Sequence, residues 1–213
     1  MRRMCVVGAA LLGLSASTIS AATVGFVEDF NAGFGGFSGG SQSYTLETGG
    51  VGGTSDAYLQ IANPQFPAPL GVRSFAAELN GNLPADGVTG FSFWLKDVGE
   101  SDPLEIHVGI GVGSINFWMT SAGFVPNSSD WTHFSVDITD PSQWTQTIGT
   151  GSFADALAAA DRLLFRHDLT PVDQRPDVIQ GDVGLDRITV LPEPAALTLI
   201  LLAALAMPQR LRS

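Results

Sequence analysis

Side chains suited to holding a sugar alternate with apolar residues along four segments of the chain. If the apolar partners face a core, the alternating side chains point to the opposite faces of their strands. They include two tryptophans, two histidines and an asparagine, namely Trp94, His107, Asn116, Trp118 and His133. Sugar rings stack on aromatic faces, and sugar hydroxyls need polar partners. If these strands are neighbours in one sheet, their side chains therefore predict a sugar-binding surface. The alternative is that Trp94 and Trp118 are covered and contribute to packing, because large aromatic side chains are highly buried on average.

The sequence contains few of the residues and motifs typical of catalytic sites. Its single cysteine, Cys5, lies in a segment that we expect to be cleaved, so the mature chain has no thiol nucleophile. No G-x-S-x-G motif occurs, and no segment carries the closely spaced acids typical of glucanases built on β-sandwiches. The three histidines lie on separate predicted strands, without the close spacing of a zinc site. We therefore expect a non-catalytic protein.

The charge of the chain limits its partners. The 213 residues include 21 Asp and Glu against 10 Lys and Arg, which gives a net charge of −11. Nucleic acid is excluded as a partner, because its phosphates need a basic surface. All the acids lie between residues 23 and 193, where six basic residues oppose them: Arg73, Lys96, Arg162, Arg166, Arg175 and Arg187. This balance fits an exported protein or one that collects cations.

The N-terminus has the pattern of a secretory signal peptide. Arg2 and Arg3 precede an apolar run over residues 6–14, and small residues follow it. We expect cleavage after Ala22, so residues 1–22 would direct export through the Sec machinery. The apolar run is too short to span about 30 Å of hydrocarbon as a retained anchor.

The C-terminus, residues 192–213, combines a tripeptide, an apolar helix and a basic tail. Pro192, Glu193 and Pro194 precede an unbroken apolar stretch over residues 195–207, and two arginines follow. This arrangement resembles the PEP-CTERM sorting signal. The resemblance implies that an exosortase, a membrane-embedded cysteine transpeptidase of Gram-negative bacteria that make exopolysaccharide, recognises the tripeptide and removes the tail. The helix would hold the exported chain in the inner membrane for a time, and the alternative is a plain membrane anchor.

The body, residues 23–191, predicts a single all-β domain. Alternation with a period of two recurs in about ten short segments separated by Gly, Asn, Asp and Pro turns. One short helix is expected, because Ser152 to Asp155 has the form of a capping box and Ala154–Ala160 is rich in helix formers. The pattern predicts an antiparallel β-sandwich, or jelly roll, with one short helix, flanked by the signal peptide and the C-terminal hydrophobic helix.

Four short motifs, in their order, resemble the galactose-binding-like jelly roll. They are EDFN at 28–31, GGTSDAYL at 52–59, DWTHF at 130–134 and GLDRI at 184–188. Carbohydrate-binding modules and many exported domains share that fold. The resemblance implies one structural calcium ion, held by oxygen ligands where the first and last strands meet. Its ligands would be Asp29 or Asn31, Thr54, Asp56 and Asp186; the alternative is that these are solvated turn residues.

These observations together predict an exported, non-catalytic protein of the cell surface or extracellular matrix of a Gram-negative bacterium. Its partner would be extracellular polysaccharide or the cell envelope. Two alternatives stay open, a glycan-active enzyme of the same fold and a purely structural matrix protein.

Overall fold

The computed structural model describes residues 21–99, 103–169 and 174–193. The predicted signal peptide, apart from its last two residues, and the chain from Pro194 onward lie outside the described residues. Within the described ranges, no helix has both the length and the apolar character needed to cross a membrane.

Six antiparallel strands form a first sheet, called sheet A, which contains both the first and the last strand of the body. The strands are β1 (Val27–Glu28), β3 (Ser43–Thr48), β4 (Ala57–Ala62), β7 (Val88–Asp97), β10 (Thr132–Asp137) and β14 (Asp182–Pro192). Their order is β10-β7-β14-β4-β3, and β1 also pairs with β14. The long strand β14 therefore lies at the centre of this sheet.

A second sheet, called sheet B, contains six further antiparallel strands. They are β2 (Phe37–Ser38), β6 (Gly71–Ser74), β8 (Ile106–Val112), β9 (Asn116–Thr120), β11 (Trp144–Gly149) and β12 (Arg162–His167). Their order is β11-β9-β8-β12-β6-β2. The strands β5 (Ala68–Pro69) and β13 (Val178–Ile179) pair separately, and two short 3₁₀ turns cover Ala77–Leu79 and Pro141–Gln143.

The hydrophobic core lies between the two sheets and joins them. The regular alternation of β7 places Phe91, Phe93 and Leu95 in this core, each fully buried. Phe93 of sheet A packs edge to face against Phe165 of sheet B, with ring centroids 5.0 Å apart. The predicted all-β antiparallel sandwich is therefore confirmed, as expected when two half-apolar sheets bury their faces against each other.

The α-helix that the described ranges contain, α1, covers Phe153–Ala158 and has the predicted capping box. The Ser152 hydroxyl accepts a hydrogen bond from the backbone N–H of Asp155 at 3.1 Å, and the Asp155 carboxylate accepts one from the backbone N–H of Ser152 at 3.1 Å. The helix is shorter than predicted, because Ala160 instead forms an isolated β-bridge with Gly81. Phe153 and Leu157 anchor it to the core.

Strand β9 faces the opposite way from the sequence prediction, which placed Phe117 and Met119 in the core. Cross-strand pairing sets Trp118 beside the core residue Ile110, so Trp118 lies on the core side of sheet B. Phe117 and Met119 lie on the outer face, where they form a separate small apolar cluster. Glycines on the neighbouring strand make room for them, since a Cβ on Gly109 would clash with both side chains.

Candidate functional site

The predicted sugar platform is divided between the two sheets, and of its five residues Trp94 and His133 lie together on an outer face. These two side chains are cross-strand partners on β7 and β10, on the outer face of sheet A. Their rings lie 4.9 Å apart at an angle of 49°. Trp94 is half-buried and His133 is exposed, so this pair forms a small aromatic surface.

Two aromatic residues that the sequence analysis did not select lie on the same face of sheet A. The Trp131 ring lies over Gly184, and a Cβ atom on Gly184 would lie 2.8 Å from that ring. The Trp131 indole N–H donates to the carbonyl of Gly49 at 3.1 Å. Its ring also packs edge to face on Tyr58, with centroids 5.1 Å apart. Trp131 therefore covers the middle of sheet A and is held at both ends.

Asn116 and Trp118 lie in sheet B, where they connect the sheet to the helix. The Trp118 indole N–H donates to the side-chain Oδ1 of Asn116 at 2.8 Å, and the side-chain Nδ2 of Asn116 donates to the backbone carbonyl of Ser152 at 2.8 Å. The Trp118 ring packs on Phe153 with centroids 5.3 Å apart. These contacts match the packing alternative for Trp118.

His107 is fully buried in β8. Its Nδ1 lies 2.7 Å from the backbone carbonyl oxygen of Thr120. Because a carbonyl oxygen can only accept, Nδ1 carries the proton. The other ring nitrogen, Nε2, lies 3.3 Å from a carboxylate oxygen of Glu105. His107 is therefore enclosed between two acceptors and does not reach the surface platform predicted for it.

The outer face of sheet B holds a groove that the sequence analysis did not identify. We call it the arginine groove; its cavity is about 140 Å³ and its lining residues are Arg73, Gly113, Phe117, Ile148, Arg162, Leu164 and Arg166. Alternate residues of β12 supply much of it, because Leu163 and Phe165 face the core. Arg73 joins from β6, where it pairs with Leu164.

The groove combines an apolar floor with a rim of guanidinium groups. Two of these groups approach the exposed ring of Phe75, with the Cζ atom of Arg73 5.7 Å and that of Arg162 5.3 Å from the ring centroid. Such cation–ring contacts are stabilising when the cation lies within about 6 Å of the ring centroid. Phe75 is 50% exposed, so this arrangement is open to solvent.

Two carboxylates beside the groove accept hydrogen bonds from its arginines. The Arg162 Nε donates to Asp161 at 2.9 Å, and the Arg166 Nε donates to Asp168. Burial raises the pKa of Asp168, while the Arg166 guanidinium acts in the opposite direction. These carboxylates hold the two guanidinium groups at the groove.

Three of the predicted calcium ligands, Asn31, Asp56 and Asp186, converge where the loop after β3 meets β14. The Asn31 amide donates to Asp56 at 2.9 Å, and this hydrogen bond is the main cause that lowers the pKa of Asp56. The backbone N–H of Val51 donates to Asp186 at 2.8 Å. A Cβ on Gly50 would lie within 3.0 Å of a carboxylate oxygen of both aspartates, so the loop requires glycine there.

The other two predicted ligands stand apart from this cluster. Asp29 accepts a hydrogen bond from the backbone N–H of Asn31 within its own turn, at 3.2 Å. Thr54 is exposed in the loop between β3 and β4.

A guanidinium group supplies positive charge at this junction. Arg187 has a φ of 46°, in the left-handed region, at an irregularity of β14, and its Nη2 lies 3.5 Å from Asp56. Calcium requires six to eight oxygen ligands, whereas the carboxylates here already accept backbone and side-chain hydrogen bonds. Within the described ranges, no group of three or more His, Cys, Asp or Glu could hold a metal ion. As they are placed in the structure, these donors do not fit calcium, so the site predicted from the sequence gains no support from the geometry.

The predicted sorting motif begins where the last strand ends. Pro192 is the final residue of β14, and its carbonyl oxygen accepts a hydrogen bond from the Thr89 hydroxyl at 3.0 Å. The backbone N–H of Glu193 donates to the carbonyl of Gly87 at 3.2 Å. The third residue of the motif, Pro194, lies outside the described residues.

Comparison with known proteins gives structural matches only. No protein-family model and no curated protein matches the chain. The carbohydrate-binding module CtCBM11, solved in solution, has a TM-score of 0.50 at 18% identity and covers 84% of this chain and 98% of that chain.

Two further solved structures are similar at a lower level. The family 11 carbohydrate-binding module of the cellulosomal cellulase Lic26A-Cel5E of Clostridium thermocellum has a TM-score of 0.49 at 16% identity, covering 81% of this chain and 96% of that chain. The CBM22-1 xylan-binding domain of Paenibacillus barcinonensis Xyn10C has a TM-score of 0.42 at 13% identity, and the match covers 81% of this chain and 99% of that chain. The similarity to CtCBM11 shows that the chain has the jelly-roll fold of a carbohydrate-binding module.

Proposed function

We propose that this protein binds polysaccharide without catalysis, and that the arginine groove is its binding site. The observation that carries the proposal is the position of an apolar floor beside planar polar side chains in one open groove of sheet B. The aromatic pair on sheet A, Trp94 and His133, is the second candidate surface because its rings are in contact and partly exposed.

The chemistry of the groove suits a sugar ring. The C–H face of a pyranose is apolar, and the partly exposed side chains of Ile148 and Leu164 offer an apolar surface to it, with Phe117 buried beside them. The guanidinium groups of Arg73 and Arg162 carry several donors in a fixed plane, which suits hydroxyl and carboxylate oxygens. The exposed ring of Phe75 adds an aromatic face beside them.

The fold supports the same class of ligand, since the solved structures it resembles are described as carbohydrate-binding modules. A fold alone hosts many functions, so the groove carries the proposal and the fold adds to it.

Export and processing complete the proposal. The Sec machinery would export the chain, and an exosortase would recognise Pro192, Glu193 and Pro194 at the surface of a Gram-negative bacterium. The position of Pro192 at the end of β14 and the exposure of Glu193 support this, because both residues follow the core of the sandwich at the end of its last strand.

A depletion isotherm with a panel of polysaccharides tests the proposal. We expect saturable binding that Phe75→Ala weakens by about tenfold, or about 1.4 kcal/mol. The matched control is His133→Ala, which removes an exposed aromatic side chain from sheet A and should bind as the parent does. Loss of binding in the control alone would assign the site to sheet A instead.

Two other results would replace the proposal with one of its alternatives. Release of reducing sugar during the incubation would favour a glycan-active enzyme. Absence of binding together with self-association would favour a structural matrix protein.

A further inference from the structure

The basic residues of this acidic protein are concentrated at one place. Between residues 23 and 193 there are only six, against all 21 acids of the chain. Three of the six, Arg73, Arg162 and Arg166, line the arginine groove. Like charges repel, so three guanidinium groups around one cavity favour a bound anion wherever nearby carboxylates leave their charge unbalanced.

The arrangement of the three arginines follows from sheet pairing. Arg162 and Arg166 are four residues apart on β12, which corresponds to about 13 Å along the strand. Arg73 on β6 is the cross-strand partner of Leu164, midway between them. The backbone positions of the three arginines therefore extend along the strand over a length greater than one sugar ring.

Among the residues that the structure describes, local carboxylates do not balance all of this charge. Asp161 contacts Arg162 and Asp168 contacts Arg166. Arg73 is exposed and lies against the ring of Phe75, which also receives Arg162. The groove thus pairs two of its three guanidinium groups with acids and presents the third to solvent.

We propose that the arginine groove selects polysaccharides that carry carboxylate groups, that is, chains containing uronic acids. This inference rests on the proposed function and names its ligand class. A guanidinium pairs with a carboxylate through two parallel hydrogen bonds, and charge-assisted hydrogen bonds of this kind are roughly twice as strong as neutral ones. The apolar side chains of Ile148 and Leu164 would contact the ring while an arginine holds the carboxylate.

The net charge of the protein does not prevent this binding. Charges separated by more than about 8 Å are largely screened at physiological salt, so the groove acts through its own nearby groups. Nucleic acid is a worse match, because its dense phosphates need a broad basic surface.

The experiment measures binding of the full protein to four probes at low and high salt. The probes are alginate as a polyuronate, a sulfated galactan, a neutral mixed-linked β-glucan and a DNA duplex. We expect alginate to bind about tenfold or more tightly than the neutral glucan, and its affinity to fall as salt rises. Arg73→Gln should remove much of that difference, and Arg73→Lys, which keeps the charge but loses the planar fork, should restore only part of it.

The matched control is Lys96→Gln, which removes one positive charge from sheet A and should leave alginate binding unchanged. Arg73 is exposed, so its variants should fold, and a thermal melt checks this. Equal, salt-insensitive binding of alginate and neutral glucan would overturn the inference and leave the proposed function standing. Tighter binding of the sulfated galactan or DNA would overturn the carboxylate assignment, and binding of no glycan would overturn the proposed function itself.

Discussion

The carboxyl group of Asp186 should make the stability of this protein depend on pH in a measurable way. Asp186 is fully buried in β14. Burial raises its pKa from 3.8 to about 6, the nearby charge of Asp56 acts in the same direction, and hydrogen bonds from the backbone N–H groups of Val51 and Arg187 act against it. A shift of about two pKa units corresponds to about 3 kcal/mol of unfolding free energy.

The direction of the effect follows from which state binds the proton more tightly. Because the pKa of Asp186 is higher in the folded state, the folded protein holds the proton over the range in which the unfolded chain has lost it. This contribution to stability is fully present below about pH 4 and is lost as the pH rises to about 6. Above that range the ionised carboxylate destabilises the fold by about 3 kcal/mol relative to its protonated form.

Urea unfolding of the parent and of Asp186→Asn between pH 4 and pH 8 measures the effect. Other groups titrate in the same range, since burial also raises the pKa of Glu28 and Asp97, so the difference between the two proteins isolates Asp186. We expect the stability of the variant relative to the parent to rise by about 3 kcal/mol from pH 4 to pH 8. The control Glu47→Gln, on the exposed edge strand β3, should follow the parent. Parallel profiles for Asp186→Asn and the parent would refute the reasoning.

Three further outcomes follow from the contacts described above. At the junction of the β3–β4 loop with β14, hydrogen bonds and Arg187 already engage the carboxylates of Asp56 and Asp186. We therefore expect EDTA to leave the melting temperature unchanged and Arg187→Gln to lower it. A drop with EDTA that added calcium reverses would instead support the calcium site predicted from the sequence. Ser152→Ala removes the helix cap and should cost about 1 kcal/mol in urea unfolding, and an unchanged midpoint would contradict the role of the capping box. Trp118→Phe loses the indole hydrogen bond to Asn116, so it should lower the melting temperature. Polysaccharide binding in a depletion assay should not weaken. Weaker binding with an unchanged melting temperature would show that Trp118 belongs to the binding surface.

The fold was predictable where one face of each strand is clearly apolar. Strand β7 alternates Phe91, Phe93 and Leu95 with polar residues, and its register in the structure follows that alternation. The capping box at Ser152 likewise fixed the start of the helix, because both of its hydrogen bonds are local. Elements of this kind can be predicted from the sequence because few contacts with distant residues are needed to form them.

The orientation of β9 was not predictable from its own residues. Asn116–Thr120 carries apolar side chains on both faces, so either orientation buries a comparable area. The choice is made by a neighbouring strand, where Gly109 leaves room for Phe117 and Met119 on the outer face. Sequence alternation alone therefore assigned Trp118 to the wrong side.

The arginine groove depends on contacts between distant parts of the chain. Arg166 lies in the strand predicted from the sequence at Leu163–His167, and Arg162 directly precedes that strand. Arg73 lies far earlier and meets them only because β6 pairs with β12. In the same way, Arg187 reaches Asp56 because a local irregularity in β14 turns its backbone, which no short motif reveals.

Chemical-shift mapping with labelled protein and alginate oligosaccharides would locate the binding surface. If the arginine groove binds the glycan, the backbone amides that shift belong to β6, β12 and β9 around Arg73, Leu164 and Phe117, with saturable, salt-sensitive changes. Shifts clustered instead on β7 and β10 around Trp94, or no shifts with any glycan, would rule out the groove as the binding site.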